Sequence, residues 1–418
     1  MPDDLPLPPY RVLDLTLEEG HLCGRMLADL GADVLKVEPP GGDQARKRGP
    51  FYQGVDHPER SFHFWFYNLN KRGVTLDLTR PEGRDLLRRL IRSADVLVES
   101  YPPGFLDSLG LGNGAFRDLN PKLVHTSITP FGGDGPHAAF KGPDIVVQAM
   151  GGLMYVTGDH DRPPLRIAPP QAFLHAASEA AVATLHALAA RHVISEGQDV
   201  QVSGQQSVIW ALMNATVTWD LNQVNVTREG ALRGGAASAA RRRLNWRCQD
   251  GYVTVSIAGG TSAAISGTTR GIVRWMEEEG AAPDFLLQYD FARADWRAMS
   301  QEEYDTITAP IGEFFKTKTK KELFQGALRR RIILYPVSTM ADLSVEEQLL
   351  AREYFVNVWH PELAAHVVYP GPSQVIGGRR PPIRRRPPLI GEHNAEIYCG
   401  ELKLGEPDLA RLAELGVV

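Results

Sequence analysis

A strand, a helix and a second strand follow one another close to the start of the chain, and this run limits the fold more than any other feature. Arg11–Leu15 is an apolar segment typical of a buried strand, Gly20–Leu30 has a helical pattern that ends at Gly31, and Ala32–Val37 is a second apolar strand. Strands joined through one short helix lie parallel, with a right-handed crossover. The segment therefore predicts a βαβ unit.

The same alternation of strand and helix continues beyond this unit. Further strands are predicted at Gly73–Leu78, Ala94–Val98, Lys122–Ile128 and Asp199–Val202, and helices at Pro81–Arg92, His175–His192 and Gln205–Leu221. Strands that alternate with helices form a parallel sheet with helices on both faces. We therefore expect the α/β class, with a doubly wound layer.

Size and composition narrow the class of protein. The 418 residues exceed one ordinary core, so we expect two or three domains, or one large domain that carries an insert. A net charge of −5 gives no reason to expect nucleic acid as a partner. No apolar run approaches the ~20 residues of a membrane span, and the acidic, Pro-rich start does not resemble a signal peptide. We expect a cytoplasmic protein without a membrane partner.

The cysteines and the first strand-to-helix turn exclude two further classes. Cys23, Cys248 and Cys399 lie far apart, without disulfide or metal spacing, which indicates a reducing compartment and no metal. An NAD-dependent dehydrogenase needs G-x-G-x-x-G in the first turn, because the backbone must approach the pyrophosphate closely. Leu15–Cys23 (LTLEEGHLC) has one glycine and two acids that would repel phosphate. We therefore reject the NAD interpretation.

Two later segments are rich in arginine. Arg228–Arg242 combines Gly, Ala and Arg without an apolar period, which predicts a loop or linker. Arg379–Pro388 (RRPPIRRRPP) carries five arginines, a pattern that also occurs in nucleic-acid-binding and nuclear-localisation segments. Its prolines favour a semi-rigid strap whose arginines pair with acids or phosphate on the same protein. The strap is the interpretation we prefer.

Seven segments carry a family resemblance. They are Arg11–Asp43, Asn68–Leu78 (NLNKRGVTLDL), Pro81–Ser100, Gly142–Gly158, Ser195–Ser203, Tyr335–Leu343 and Pro387–Tyr398. In sequence and in order they resemble the family III CoA-transferases, of the CaiB/BaiF type, over nearly the whole chain. Gln249–Gly260 (QDGYVTVSIAGG) resembles the members that act on bulky or aromatic dicarboxylates such as benzylsuccinate.

The resemblance implies a Rossmann-like large domain completed by both ends of the chain, and a smaller α/β domain between two linkers. We place the N-terminal part of the large domain at residues 1–222 and the small domain with its linkers at residues 223–335. The returning linker and the C-terminal part of the large domain then occupy residues 336–418. The resemblance also implies that two chains thread through each other as an interlocked-ring dimer.

The resemblance further implies coenzyme A, bound as an acyl-CoA substrate on the large domain. Lys71, Arg72, Tyr101 and Lys141 lie at positions similar to the family's CoA contacts, and Asp144 at the matching GPD position near the thioester. Cations beside an aromatic ring suit a phosphorylated adenosine. The alternative for Lys71 and Arg72 is an ordinary solvated pair before a strand. Three other contact positions differ from the family pattern: Pro39, Ser100 and Ser108.

The acid that the family's reaction needs is missing. Only Asp or Glu can form the mixed anhydride through which the acyl group is exchanged. Matching PPLRIAPPQAFLHAA to the family pattern P-I-A-D-L-A-A puts Phe173 at the position of the Asp, and no acid lies between Asp161 and Glu179. The related racemases use a His and Asp pair, but the position matching their His is Pro143. We therefore predict no catalytic residue in this chain.

Three explanations remain open for the missing acid. The chain could be the non-catalytic structural subunit of a heterodimer, with a homologous CoA-transferase subunit that carries the catalytic Asp. Alternatively, Asp144, Glu179 or another acid replaces the nucleophile, or the chain only binds acyl-CoA. We favour the first explanation, in which the complex moves CoA from a donor such as succinyl-CoA to a carboxylic acid acceptor.

Overall fold

The first half of the chain builds a parallel sheet. The computed structural model describes residues 5–233, 240–259, 263–296 and 298–418. The strands of the large sheet are β1 (Arg11–Leu15), β2 (Asp33–Glu38), β3 (Arg72–Thr75), β4 (Val96–Glu99), β5 (Val124–Thr129) and β6 (Asp199–Ser203). Their order is β3-β2-β1-β4-β5-β6, and every pairing is parallel. This is the order of a doubly wound Rossmann-like sheet. The predicted α/β class is confirmed.

Helices cover both faces of this sheet. The helices in the first half of the chain are α1 (His21–Leu30), α2 (Phe62–Tyr67), α3 (Pro81–Ile91), α4 (Phe105–Ser108), α5 (Asn113–Leu119), α6 (Asp144–Met150), α7 (Gln171–Ile194), α8 (Gly204–Ile209) and α9 (Met213–Asn222), and those that share buried clusters with the strands include α1, α3 and α7. Successive residues of a strand point to opposite faces. Accordingly, Leu13 of β1 shares a buried cluster with Leu87 of α3. Its neighbour Val12 shares a different cluster with Leu27 of α1 and Ala180 of α7.

The middle of the chain builds a second, smaller α/β arrangement. Its elements are β7 (Leu232–Arg233), β8 (Arg242–Arg243), β9 (Asn245–Cys248), β10 (Gly251–Thr254), α10 (Ala263–Glu278), α11 (Asp284–Gln288), α12 (Gln301–Lys316), α13 (Lys320–Arg330), β11 (Tyr335–Pro336) and α14 (Met340–Ser344). β9, β10 and β11 form an antiparallel sheet. The predicted loop Arg228–Arg242 lies partly outside the described residues, at 234–239. The predicted capping box of Thr319 and Glu322 opens α13.

The C-terminal part returns to the large sheet. It contains α15 (Glu347–Ala351), β12 (Phe355–His360), β13 (Ala365–Pro370), a π-helix (Ala395–Glu401) and α16 (Glu406–Glu414). β3 is an edge strand, and the returning chain supplies hydrogen-bond partners for it. The N–H of Thr75 donates to Asn394 Oδ1 (3.0 Å), and Tyr398 Oη donates to the carbonyl of Thr75 (2.7 Å). Just beyond β3, the N–H of Asp77 donates to the carbonyl of Val417 (2.8 Å).

The chain divides into two compact units. Unit 1 comprises Met1–Leu153, Ile167–Met213 and Glu347–Val418, and unit 2 comprises Met154–Arg166 and Asn214–Glu346. The division into domains at 1–222, 223–335 and 336–418 stays a prediction. The interlocked-ring dimer also stays a prediction.

The largest differences from the sequence-based helix bounds concern α7 and the segment that follows β6. α7 begins at Gln171, earlier than predicted, because Asp144 accepts a hydrogen bond from the N–H of Ala172 and so stabilises an additional first turn. The segment predicted as one helix at Gln205–Leu221 forms α8 and α9, with a 3₁₀ turn at Trp210–Leu212 between them.

The Pro-rich segment Arg379–Pro388 binds its own protein through its arginines. Arg386 pairs with Glu362 (3.0 Å) and with Glu392 (2.8 Å). Arg384 donates to a backbone carbonyl of α1 (2.6 Å). These contacts agree with the predicted strap. In the described part of the chain, no helix is both long and apolar enough to cross a membrane.

A buried histidine lies inside the large sheet between two acids. His125 of β5 lies 3.7 Å from Glu99 and 3.6 Å from Asp199, which also pairs with Arg117. Burial disfavours the charged imidazolium, but Asp199 and Glu99 outweigh burial and raise the pKa of His125. His125 therefore adds stability that is complete below its unfolded pKa of about 6.5 and is lost as the pH rises through the raised folded value.

The direction of the pKa shift of His125 predicts how the stability of a variant depends on pH. His125→Gln is expected to destabilise the protein most at about pH 5.5 and least at about pH 8.5, because the glutamine cannot become charged. Urea unfolding at both pH values measures the difference. His186→Gln, at an exposed position of α7, serves as the control and should leave the profile unchanged. A His125→Gln penalty that grows with rising pH would contradict the assignment.

Candidate functional site

The candidate site lies at the edge of the large sheet where the parallel strands end, because doubly wound proteins bind ligands at that edge. β1 is followed there by a loop that contains Glu18 and Glu19, and β4 is followed by Tyr101. The predicted CoA contacts lie in very different surroundings in this part of the chain. Lys71 and Arg72 are buried and form ion pairs, Tyr101 and Lys141 are partly or fully exposed, and Asp144 caps a helix.

Lys71 is fully buried in a charged network under this edge. Its Nζ donates to Asp14 Oδ2 (2.7 Å), to the carbonyl of His21 (2.9 Å) and to Asn68 Oδ1 (2.9 Å). Burial alone would raise the pKa of Asp14, but Lys71 and Lys36 outweigh burial and lower it to about 2. All three donors of the Lys71 ammonium are used inside the protein. This geometry favours a structural role for Lys71.

Arg72 is also engaged by the protein's own acids. Its guanidinium pairs with Asp33 (2.5 Å), Glu396 (2.5 Å) and Glu401 (2.8 Å), and its side chain is 9% exposed. Burial opposes the charge, but the hydrogen bonds that Arg72 donates to these acids outweigh burial and raise the pKa of Arg72. The alternative of an ordinary solvated pair is therefore wrong for both Lys71 and Arg72. Their contact with CoA stays a prediction.

Tyr101 and Lys141 lie where a ligand could reach them. Tyr101 is partly exposed, its ring lies 4.8 Å from that of Phe105, and burial raises the pKa of its hydroxyl. Lys141 is exposed, in the segment before α6. The aromatic face of Tyr101 can stack on the adenine ring of CoA, and the exposed ammonium of Lys141 can pair with a phosphate. Their contact with CoA also stays a prediction.

The first turn of α7 holds Phe173, the residue matched to the family's Asp. Phe173 is 9% exposed, and no acid occurs in this turn. The next acid along the helix, Glu179, is exposed. Helix starts offer unpaired N–H groups that favour a negative charge. At the start of α7, the side chain of Phe173 is apolar and cannot act as a nucleophile.

Asp144 supplies the negative charge at the start of α7. Its Oδ1 accepts from the N–H of Ala172 (2.9 Å), its Oδ2 accepts from Gln148 Nε2 (2.6 Å), and the residue is 7% exposed. Gln148 Oε1 in turn accepts from the N–H of Ile167 (3.3 Å). A carboxylate with both oxygens hydrogen-bonded is a weak nucleophile, so the geometry favours a capping role for Asp144.

One acid of this edge was not singled out as a candidate from the sequence. Glu19, in the loop after β1, has an Oε2 atom that is buried without a hydrogen-bond partner within the described ranges. Burial raises the pKa of Glu19, and the carboxylates of Glu18 and Asp43 raise it further. Glu18 itself pairs with Arg48 and lies 3.4 Å from His63. Perturbed acids cluster at functional sites, so Glu19 is a candidate proton donor or nucleophile.

The structure thus groups the sequence-predicted residues into three environments. Asp144 meets the turn of α7 that contains Phe173, Lys71 and Arg72 lie within ion-pair networks, and Tyr101 and Lys141 are partly or fully exposed. Within the described ranges, no group of three or more His, Cys, Asp or Glu side chains could hold a metal ion.

The strand order and the helix start capped by Asp144 define the class of doubly wound α/β proteins that bind ligands where the strands end. Residues 7–394 match the family described as CoA-transferase family III, and the chain belongs to that family.

Relatives and a solved structure agree with this assignment. The chain is 35% identical over 398 residues to the succinyl-CoA:(R)-benzylsuccinate CoA-transferase subunit BbsE of Thauera aromatica, covering 94% of this chain and 93% of that protein. It is 31% identical over 424 residues to a formyl-CoA:oxalate CoA-transferase of Streptomyces avermitilis, with 98% of each covered. A CaiB/BaiF family protein from Brucella suis has a similar structure, with a TM-score of 0.80, 28% identity, and 95% and 99% of the two chains covered.

Proposed function

We propose that this chain is the non-catalytic subunit of a heterodimeric family III CoA-transferase. The complex moves CoA from an acyl-CoA donor such as succinyl-CoA to a bulky or aromatic dicarboxylate. The observation that carries the proposal is the apolar start of α7, where Phe173 is buried and no acid is present. A relative whose name calls it a CoA-transferase subunit supports it. We infer that the complex works in the cytoplasm.

The chemistry explains why a partner is needed. A carboxylate attacks the thioester carbonyl, the C–S bond breaks and the CoA thiolate leaves, which gives a mixed anhydride. The thiolate then attacks the carbonyl of the enzyme's own acyl group and releases the donor acid, so the enzyme carries the thioester. The acceptor acid takes the CoA by the reverse steps. Phenylalanine can form neither the anhydride nor the thioester, so the homologous partner provides the Asp.

In this proposal, the residues of this chain bind CoA and stabilise the site, but they do not react. We infer that Tyr101 and Lys141 contact the adenosine and phosphates of CoA, because they can be reached from solvent. Lys71 stabilises the end of β1 through its ion pair with Asp14, and Arg72 joins the start of β3 to the start of β2 through Asp33. Asp144 fixes the start of α7. No residue of this chain needs to move a proton or an acyl group.

The proposal predicts the activity of the purified chain. Alone, it should transfer CoA at least about a thousandfold more slowly than its complex with the homologous subunit, because removal of a nucleophile costs at least that much. Native mass spectrometry of the complex gives the partner and the stoichiometry, and a thioester-exchange assay gives the rates. Full-rate exchange by the lone chain would overturn the proposal, as would a complex whose partner lacks an Asp at the position matching Phe173.

A self-sufficient enzyme is the second candidate, and Glu19 is the observation that favours it. Its carboxyl group, whose buried Oε2 has no hydrogen-bond partner within the described ranges, lies in the loop after β1, at the ligand edge of the sheet. If the lone chain is active, Glu19→Gln should abolish that activity while Asp144→Asn should not, because both Asp144 oxygens already accept hydrogen bonds. The opposite pattern would assign the nucleophile to Asp144. Acyl-CoA binding by the lone chain without turnover would indicate a binding protein.

A further inference from the structure

A cavity that the proposed function does not use lies within unit 2. Its volume is about 680 Å³, which falls in the range of small-molecule pockets. The charged side chains that line it are Arg241, Arg243, Arg247, Lys316, Asp305 and Glu313. With His160 neutral, the lining carries a net charge of +2. Such a lining suits an anion.

The acids of the cavity are already occupied by neighbours on their own helix. Glu313 pairs with Lys316 (2.7 Å), and Asp305 accepts from Gln301 Nε2 (3.0 Å). Within the described ranges, none of the three arginine side chains has a carboxylate within ion-pair distance. Three guanidinium groups around one concave surface repel one another unless an anion or solvent compensates them. The cavity therefore holds uncompensated positive charge.

One of these arginines is held in place before any ligand arrives. The Arg243 guanidinium lies over the ring of Trp246, with its Cζ 5.4 Å from the ring centre. Trp246 is 3% exposed and its Nε1 donates to the carbonyl of Val255 (3.0 Å). The N–H of Arg243 donates to Tyr304 Oη (3.1 Å). The hydrogen bond fixes the backbone of Arg243, and the ring of Trp246 restricts its side chain, so less entropy is lost on binding and the affinity increases.

We propose that this cavity binds a small molecule with two negative charges, carried by phosphate or carboxylate groups. The planar guanidinium of arginine can form two parallel hydrogen bonds to a phosphate or to a carboxylate. Three guanidinium groups without ion-pair partners can therefore bind two such anionic groups. The net charge of +2 matches a dianion. Because the cavity is concave and has the size of a metabolite, the ligand is a small molecule rather than a nucleic acid.

The test uses the full chain and two probes, inorganic pyrophosphate and malonate, in separate calorimetric titrations at an ionic strength of about 0.15 M. At least one probe should bind with a stoichiometry of one per chain. Arg247→Ala and Arg241→Ala should each weaken that binding by about tenfold, since each removes one charge-assisted contact. Both side chains are exposed, so the variants should fold. The matched control is Arg293→Ala, whose side chain is 90% exposed and lies outside the cavity.

Each outcome decides the question. Binding of pyrophosphate alone supports a phosphorylated ligand, and binding of malonate alone supports a dicarboxylate. Binding of both probes indicates that the cavity recognises two negative charges at a given distance, whichever group carries them. Failure of both probes overturns the proposal, and so does an equal loss of binding in Arg247→Ala and Arg293→Ala. A probe that binds equally well to Arg247→Ala, Arg241→Ala and the unchanged chain occupies another site and also overturns it. The CoA-transfer assay does not enter this test, so the two proposals can fail separately.

Discussion

Lys71→Met is expected to lower the free energy of unfolding by about 3–5 kcal/mol, because removing one partner of a buried ion pair leaves the other charge uncompensated. The Lys71 ammonium makes three hydrogen bonds and is fully buried. After the substitution, Asp14 retains the hydrogen bonds from Thr16, but Lys36 is then its nearest cation, at 4.0 Å. Methionine fills a similar volume, so the loss reports on charge rather than on a cavity.

Urea unfolding at neutral pH measures this loss of stability. Two further variants test whether the loss comes from the ion pair. Lys141→Met changes an exposed lysine and should alter stability by less than about 0.5 kcal/mol. It should weaken CoA binding instead, if Lys141 contacts a phosphate. In Lys71→Met with Asp14→Asn, the combined loss should be smaller than the two single losses added together. Additive losses would show that the pair does not act as a unit.

The same pair fixes the response to acid. The pKa of Asp14 is lowered from 3.8 to about 2, so its contribution to stability is present above pH 3.8 and is lost as the pH falls towards 2. Without Lys71 the pKa of Asp14 should rise. Lys71→Met is therefore expected to begin acid unfolding at a higher pH than the unchanged chain. An identical acid midpoint would contradict the assignment.

Asp144→Ala is the second large effect, with an expected loss of about 2–4 kcal/mol. The substitution removes two hydrogen bonds from a buried carboxylate and leaves the N–H of Ala172 and the amide of Gln148 without their partner. It also removes the negative charge at the start of α7. The first turn of that helix, which contains Phe173, should therefore fray.

Asp144→Asn provides the matched control. Its Oδ1 can still accept from the N–H of Ala172, so the loss should be less than half of that in Asp144→Ala. Amide hydrogen exchange in the first turn of α7 separates a local effect from a global one, because fraying should increase exchange there before it does elsewhere. Equal destabilisation by Ala and Asn would mean that the charge, and not the hydrogen bond, stabilises the turn.

Much of the fold could be predicted from local pattern. The apolar strand Arg11–Leu15, the helix ended by Gly31 and the strand that follows are present in the structure, because period and capping act within a few residues. The absence of an acid from the first turn of α7 could also be predicted, since it depends only on residue type, whereas the match of Phe173 to the family's Asp stays a prediction.

The surroundings of charged side chains could not be predicted from local pattern. The sequence predicts Lys71 and Arg72 to be either a solvated pair or ligand contacts. Their ion-pair partners lie far away in sequence, at Asp14, Asp33 and Glu401. Only the three-dimensional arrangement brings these groups together. Glu19 escaped notice for a related reason: the raised pKa of its carboxyl group comes chiefly from burial, which residue type does not reveal.

The segment from Asn394 to Val417 completes the outer edge of the large sheet through Thr75 and Asp77. On the ribosome, the edge strand is therefore made hundreds of residues before the groups that cover it. Until that segment emerges, β3 exposes unpaired backbone groups to which another nascent chain can pair. Removal of the segment would therefore turn a well-folded protein into an aggregation-prone one.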